Sequence, residues 1–124
     1  MASNYAVFDS RIHGIGCRAT TSIAAGQLVA AEPFIGILES IKKGELVDYF
    51  WGATGLGQPR YSQLLINGLG SFCNHSEQPN IEPRASRHPR MIHFVALRDI
   101  HAGEELFVSY GPVSYTHLTL PTKA

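Results

Sequence analysis

Two short polar segments carry the side chains in this sequence whose types and spacing point most directly to chemistry. They are Asn74-His75-Ser76 and Ser109-Tyr110-Gly111. An asparagine amide offers both donors and an acceptor, and a histidine ring can bond the edge of a flat heterocycle. These residue types therefore suit recognition of a polar ligand, while the Tyr110 hydroxyl can orient a reacting group.

Each segment also has an ordinary structural explanation. Asn74 and His75 can be a pair of satisfied turn residues, and Tyr110 can be a tyrosine at the end of a strand. Asn74-His75-Ser76 fits the glycosylation sequon as well. Residues 1–8 lack the basic and apolar segments of a secretion signal, so we expect that match to be accidental.

A third segment, Gly14–Ala19, satisfies a loose GxGxxA pattern. A dinucleotide site needs a strand before this pattern and a helix after it. Here the polar and β-branched residues 20–23 follow, and Gly26 interrupts soon afterwards, so we do not predict a Rossmann site. Two alternatives remain: the closely spaced glycines let a backbone approach a flat or bulky ligand, or they form a plain turn.

The order of these segments along the chain resembles the SET-domain family. His13-Gly14-Ile15-Gly16 comes first, Asn74-His75-Ser76 with Pro79-Asn80 follows, and Glu104-Glu105-Leu106 leads into Tyr110. The resemblance covers roughly residues 5–111 and implies a protein-lysine N-methyltransferase that uses S-adenosyl-L-methionine. Many larger members carry a cysteine cluster after this region, which this sequence lacks. No flanking domain is discernible before the first predicted strand, so the resemblance is to the minimal viral and bacterial members.

The resemblance implies a role for each matching residue. Tyr110 corresponds to the catalytic tyrosine, which orients the lysine amine and the methyl group for an in-line displacement. The cofactor is expected to contact the glycine segment, the residues around the polar turn and one tyrosine of the tail. These cofactor-binding residues are Gly14, Ile15, Gly16, Arg18, Phe72, Asn74, His75 and Tyr115.

The same resemblance assigns Tyr49 and Val108 to the substrate channel. Val108 stands where many members carry Phe or Tyr two residues before the catalytic tyrosine, so we expect room for di- or trimethylation. Three scattered acidic residues could favour a basic peptide, or they could be solvated surface; these are Glu32, Glu39 and Glu82. Three aromatics fit core positions because they supply much buried area, namely Phe50, Trp51 and Phe72.

Composition limits the classes of function. The 124 residues are one domain's length, with 44% hydrophobic and 16% charged residues, as is typical of a globular protein. Ten basic residues balance ten acidic ones, so we expect no direct nucleic acid binding. Cys17 and Cys73 form no CxxC pair and the histidines show no ligand spacing, so we predict no metal. A disulfide between the two cysteines stays open beside the reduced form.

The expected partner is a lysine-containing protein or peptide, with a histone as one candidate. No signal peptide or apolar span is visible, so we expect a cytoplasmic protein, nuclear in a eukaryote, without membrane contact. Small family members can pair to complete their sites, which makes a homodimer a further expectation. Two alternatives are a non-catalytic SET-like module that binds a peptide or the cofactor, and a non-enzymatic β-clip domain.

Short strands are predicted to position these residues. Glycine, proline and β-branched residues punctuate many short apolar runs, which is typical of a mainly β fold. The predicted strands cover residues 5–8, 28–31, 34–38, 90–97 and 106–108. One amphipathic helix is predicted over residues 42–51, and a tight turn at Asn67-Gly68.

The resemblance arranges these elements as a SET-domain (β-clip) fold with one or two short helices and a knot-like C-terminal segment. The predicted domain spans residues 1–111, and residues 112–124 form a tail that either closes the channel or is foreign. Within the domain, residues 21–28 and 98–106 share a turn pattern, with an isoleucine three residues before a glycine. We expect Gly26 and Gly103 to supply the positive φ of these turns.

Overall fold

The computed structural model describes residues 4–10, 14–44, 49–86 and 90–109. Within these ranges the chain is mainly β, as predicted. The strands are β1 (Tyr5–Ser10), β2 (Gly14–Ala19), β3 (Leu28–Ile37), β4 (Phe50–Gly52), β5 (Gln63–Ile66), β6 (Asn74–His75), β7 (Ile81–Ala85), β8 (Met91–Ala96) and β9 (Glu105–Val108). A 3₁₀ helix covers Thr54–Leu56, and helix α1 covers Leu69–Phe72. The predicted knot-like segment and tail lie outside the described residues.

The strands form two sheets. The four-stranded sheet has the order β1-β2-β9-β6, and the five-stranded sheet has the order β4-β5-β3-β8-β7. Neighbours pair in antiparallel fashion except β6 and β9, which are parallel. Strand β9, late in the sequence, thus lies between two strands that come much earlier. This crossover brings the glycine segment and the polar turn to the same sheet.

One hydrophobic core joins the two sheets. Alternate residues of β8 are buried, as half-buried strands require, and Phe94 is fully enclosed. The Trp51 ring packs edge-on against Phe94, with ring centroids 6.4 Å apart. The core positions predicted for Phe50 and Trp51 are confirmed, but the one predicted for Phe72 is wrong because its side chain is 44% exposed.

The two similar turns contact each other. Ile23 and Ile100 form an antiparallel bridge in which each N–H donates to the other's carbonyl, at 2.9 and 2.8 Å. Gly26 and Gly103 have φ of 82° and 93°, as predicted. Each glycine N–H donates to the alanine that ends the strand before the other turn, at 2.8 Å in both cases. The turns are therefore an approximate two-fold pair that ties β2 to β8.

The helix predicted over residues 42–51 is wrong at its described ends. Residues 42–44 are not helical, and residues 50–52 form β4. Phe50 and Trp51 pair in register with Leu65 and Leu64 of β5, and this pairing overrides a local spacing that also fits a helix. Residues 45–48 lie outside the described residues. The turn at Asn67-Gly68 is present, and helix α1 follows it.

Candidate functional site

The segments singled out in the sequence meet around strand β9. On one side β2 pairs with β9 so that Arg18 lies opposite Glu105. On the other side β6 runs parallel to β9, with Asn74 opposite Phe107 and His75 opposite Val108. The glycine segment, the polar turn and the strand that leads to Tyr110 are therefore three adjacent strands of one sheet.

The Asn74 side chain links the other two segments. Its Nδ2 donates to the Ile15 carbonyl at 3.2 Å and to the Glu105 carboxylate oxygen Oε2 at 2.8 Å. These partners lie far from Asn74 in sequence and on two different strands. The side chain thus holds the turn, β2 and β9 in one fixed relation.

The two glycines of β2 are needed for different reasons. Gly14 has a φ of 79°, a backbone conformation that side chains disfavour, and the space beside it is open. A Cβ on Gly16 would lie 2.7 Å from Glu105 Oε2 and 2.8 Å from Asn74 Nδ2. The missing side chain at Gly16 therefore makes room for the side chains of Glu105 and Asn74.

A buried carboxylate anchors the helix that precedes the polar turn. Glu32 Oε2 accepts hydrogen bonds from the Leu69 N–H and from the Tyr5 hydroxyl, both at 2.6 Å. Burial, together with the hydrogen bond to Glu32, raises the pKa of Tyr5 above its ordinary value. Glu32 is therefore an internal cap of α1, and because it is buried, both roles left open for it, attraction of a basic peptide and solvated surface, are wrong.

The buried Asn80 side chain holds strand β9 through two hydrogen bonds to its backbone. Asn80 is 1% exposed; its Nδ2 donates to the Glu105 carbonyl at 2.9 Å, and its Oδ1 accepts from the Phe107 N–H at 2.8 Å. The side chain therefore replaces a neighbouring strand for these two backbone groups. The sequence marked Asn80 only as part of a motif, and nothing local in it indicates this role.

His75 is partly buried at the end of β6. Burial lowers the pKa of His75 below its ordinary value, while the nearby Glu77 carboxylate acts in the opposite direction. The net effect favours the neutral ring, which has one donor and one acceptor nitrogen. Such a ring can bond the edge of a heterocycle.

Two apolar side chains remain exposed beside these polar groups. Ile15 is 58% exposed, and Phe72, on the helix that packs against β2, is 44% exposed. Their neighbours Asn74 and His75 supply polar atoms. A ligand with both an apolar surface and a polar end fits this combination.

The positions of the other predicted site residues do not test their expected roles. The Arg18 guanidinium lies over the Phe8 ring, 5.7 Å from its centroid. Val108 is fully buried in the core, and Tyr49 is 39% exposed just before β4, so their channel role stays a prediction. Tyr110 and Tyr115 lie outside the described residues.

The described residues also limit other kinds of site. In that part of the chain, no group of three or more His, Cys, Asp and Glu side chains is arranged to hold a metal ion. Both cysteines, Cys17 and Cys73, are free and buried. No helix within the described ranges is long and apolar enough to cross a membrane.

The family follows from comparison with known sequences. A sequence model of the SET domain matches residues 14–111, which is more than half of the chain. The chain belongs to the SET-domain family. This SET domain is 41% identical, over 49 residues, to a Schizosaccharomyces pombe protein named histone-lysine N-methyltransferase, H3 lysine-37 specific. That match covers 40% of this chain and 33% of the relative, so the chain spans about a third of its length.

Solved structures share the SET-domain fold. A Plasmodium falciparum protein described as a candidate histone methyltransferase aligns with a TM-score of 0.75 at 22% identity, over 90% of this chain and 96% of that one. Polycomb repressive complex 2 of Chaetomium thermophilum, bound to S-adenosylmethionine, aligns with a TM-score of 0.65 at 24% identity, over 90% of this chain and 15% of that one. The predicted fold is therefore confirmed.

Proposed function

We propose that this SET domain transfers a methyl group from S-adenosyl-L-methionine to the ε-amine of a protein lysine. One observation carries the proposal: the Asn74 amide joins the glycine segment to β9. Because of this link, the residues expected to bind the cofactor and the strand that leads to Tyr110 lie at one place in the fold.

The described residues fit the cofactor. The exposed Ile15 and Phe72 side chains offer apolar surface, and Asn74 and the neutral His75 offer polar atoms for its amino-acid and adenine ends. Gly14, Gly16 and Arg18 complete this part of the proposed site, with Tyr115 as a further contact. When bound, the cofactor would supply the activated methyl group.

The acceptor side of the reaction is assigned to Tyr110. Its hydroxyl would orient the lysine amine, which must be neutral to attack carbon. An aromatic channel favours the neutral form because desolvation lowers the pKa of a lysine. Strand β9 is held by Asn80 and β2 just before Tyr110, and this anchoring supports a fixed position for the hydroxyl. Tyr49 and Val108 are proposed to belong to this channel.

The relatives indicate where to look for a substrate. Two proteins that resemble this chain carry names that refer to histone methylation, so a histone lysine is the first candidate. A cytoplasmic or nuclear location, a homodimer and a place among the minimal members of the family are proposed on the sequence alone. Direct binding of nucleic acid or membrane is not part of the proposed function.

The proposal is tested with Tyr110→Phe. Purified protein is incubated with labelled S-adenosyl-L-methionine and either histones or an array of lysine peptides, and S-adenosylhomocysteine binding is measured by calorimetry. We expect Tyr110→Phe to lower turnover about a hundredfold because amine alignment is lost. Binding of S-adenosylhomocysteine should stay within about twofold, because the variant keeps the cofactor contacts.

The outcomes separate the candidate functions. If Tyr110→Phe transfers methyl groups as fast as the wild type, Tyr110 has no catalytic role. Cofactor binding without transfer to any lysine would favour the non-catalytic binding module. A folded wild type that does not bind S-adenosylhomocysteine at about millimolar concentration would contradict the proposed function.

A further inference from the structure

We propose that Glu105 is a positioning residue that orients the Asn74 amide and thereby makes the site selective for a ligand with a free ammonium group. The inference rests on the proposed function and concerns the amino-acid end of the cofactor. It follows from which polar atoms of Asn74 the protein itself uses.

The orientation of the Asn74 amide is fixed by the chemistry of its partners. A backbone carbonyl and a carboxylate are both acceptors, so the amide nitrogen must face Ile15 and Glu105. Its two hydrogens are then both engaged. The atom left for a ligand is Oδ1, an acceptor, which can bind an ammonium group but cannot donate to a carboxylate.

Glu105 is itself held in place. Its backbone lies opposite Arg18 in the β2–β9 pair, and its carbonyl accepts from Asn80 Nδ2 at 2.9 Å. Its carboxylate occupies, with the Asn74 amide, the space that a side chain at Gly16 would fill. The Asn74–Glu105 pair is therefore half-buried, with Asn74 on β6 and Glu105 on β9 meeting beside Gly16 of β2.

The negative charge of Glu105 favours the same kind of ligand as the orientation of the Asn74 amide does. The Glu105 carboxylate accepts a hydrogen bond from the same amide group that carries Oδ1, so its charge lies close to that atom. Negative charge at this distance attracts an ammonium group and repels a carboxylate. Orientation and charge thus both favour a ligand that presents its amino group to Asn74.

The test compares two ligands by calorimetry: S-adenosylhomocysteine and its des-amino analogue, which lacks only the α-amino group. Glu105→Ala should weaken S-adenosylhomocysteine binding about tenfold, since the amide can then turn. The des-amino analogue should change by less than about twofold. Glu105→Gln should lose less selectivity than Glu105→Ala, because its Oε1 can still accept from Asn74 while the charge is gone.

Glu82→Ala is the matched control, because Glu82 is an exposed acid on β7 whose carboxylate pairs with Arg84. It should leave both affinities unchanged. Equal weakening of both ligands in Glu105→Ala, or an unchanged ratio of the two affinities in both Glu105 variants, would overturn the inference. If wild-type protein binds neither ligand, the proposed function fails, and that result is distinct from wild-type binding without selectivity.

Discussion

Asn74, Glu105 and Gly16 depend on one another. The amide and the carboxylate form a hydrogen bond at 2.8 Å, and both lie where a Cβ on Gly16 would be. A change at any one of these positions therefore reaches the other two. The chemistry of each residue in isolation says little about its role in the SET domain.

His75 makes the stability of the domain depend on pH. Burial lowers its folded pKa below the unfolded value of about 6.5. The neutral ring therefore contributes stability that is present above about pH 6.5 and is lost as the pH falls through the folded pKa. His75→Gln has no such group and should lose less stability between about pH 7.5 and about pH 5.5.

Urea midpoints of the two proteins across this range measure the effect of His75. Glu77→Gln serves as a second variant, because the Glu77 carboxylate raises the pKa of His75. Its removal should lower that pKa further and make the loss of stability towards acid steeper. If the urea midpoints of wild type and His75→Gln change in parallel with pH, the pKa of His75 is not lowered by folding.

At the level of elements, helix α1 is too short to be stable alone and relies on its anchors. The Leu69 N–H is capped by Glu32, and the Gly70 carbonyl accepts from Trp51 Nε1 at 2.8 Å. The helix leads through Cys73 to Asn74. Its anchors therefore decide where the polar turn lies.

Glu32→Ala tests this anchoring. It removes the acceptor for both the Leu69 N–H and the Tyr5 hydroxyl, so we expect a loss of about 3 kcal/mol in the free energy of unfolding. Tyr5→Phe removes only one of these bonds and should cost about 1 kcal/mol. Denaturant titration measures both values. Equal losses in the two variants would show that the cap on α1 contributes little.

How far the elements could be predicted depends on the range of their contacts. Strand β8 is predicted by a short apolar run, and in the structure Ile92 and Phe94 of this run face the core. Residues 50 and 51 fit a helix equally well by spacing, and only their pairing with distant β5 decides between the two. A local sequence pattern therefore predicts an element correctly when the pattern fits only a helix or only a strand. Where it fits both, contacts with distant residues decide.

The candidate site divides in a similar way. The family resemblance identified Asn74, His75 and the glycine segment, because their types and order are visible in the sequence. The roles of Glu32, Asn80 and Glu105 depend on contacts with groups some 25 to 37 residues away. The sequence carries no local pattern for such contacts, so only the fold reveals them.

At the scale of the whole molecule, Asn80 and β9 couple the two sheets. Asn80→Ala leaves the Phe107 N–H and the Glu105 carbonyl without these partners, and we expect a loss of about 2–4 kcal/mol in the free energy of unfolding. Gln78→Ala, at an exposed residue of the same loop, is the control and should cost less than about 0.5 kcal/mol.

Two probes follow this unfolding in different sheets. The single tryptophan, Trp51, reports on the five-stranded sheet. Labelling of the two buried thiols, Cys17 on β2 and Cys73 directly before β6, reports on the four-stranded sheet. We expect both transitions to shift together to lower denaturant, because the sheets share one core. A thiol that becomes reactive well before the fluorescence changes would instead show two independent units.

The place of β9 between β2 and β6 has a consequence for biosynthesis. A chain that is still emerging from the ribosome holds β1, β2 and β6 long before residues 105–108 are available. Until then the strands that carry Gly16 and Asn74 have no common neighbour, and closing this sheet requires contacts between distant parts of the sequence. The nascent domain is thus unable to assemble this sheet, and with it the candidate site, until residues 105–108 have been synthesised.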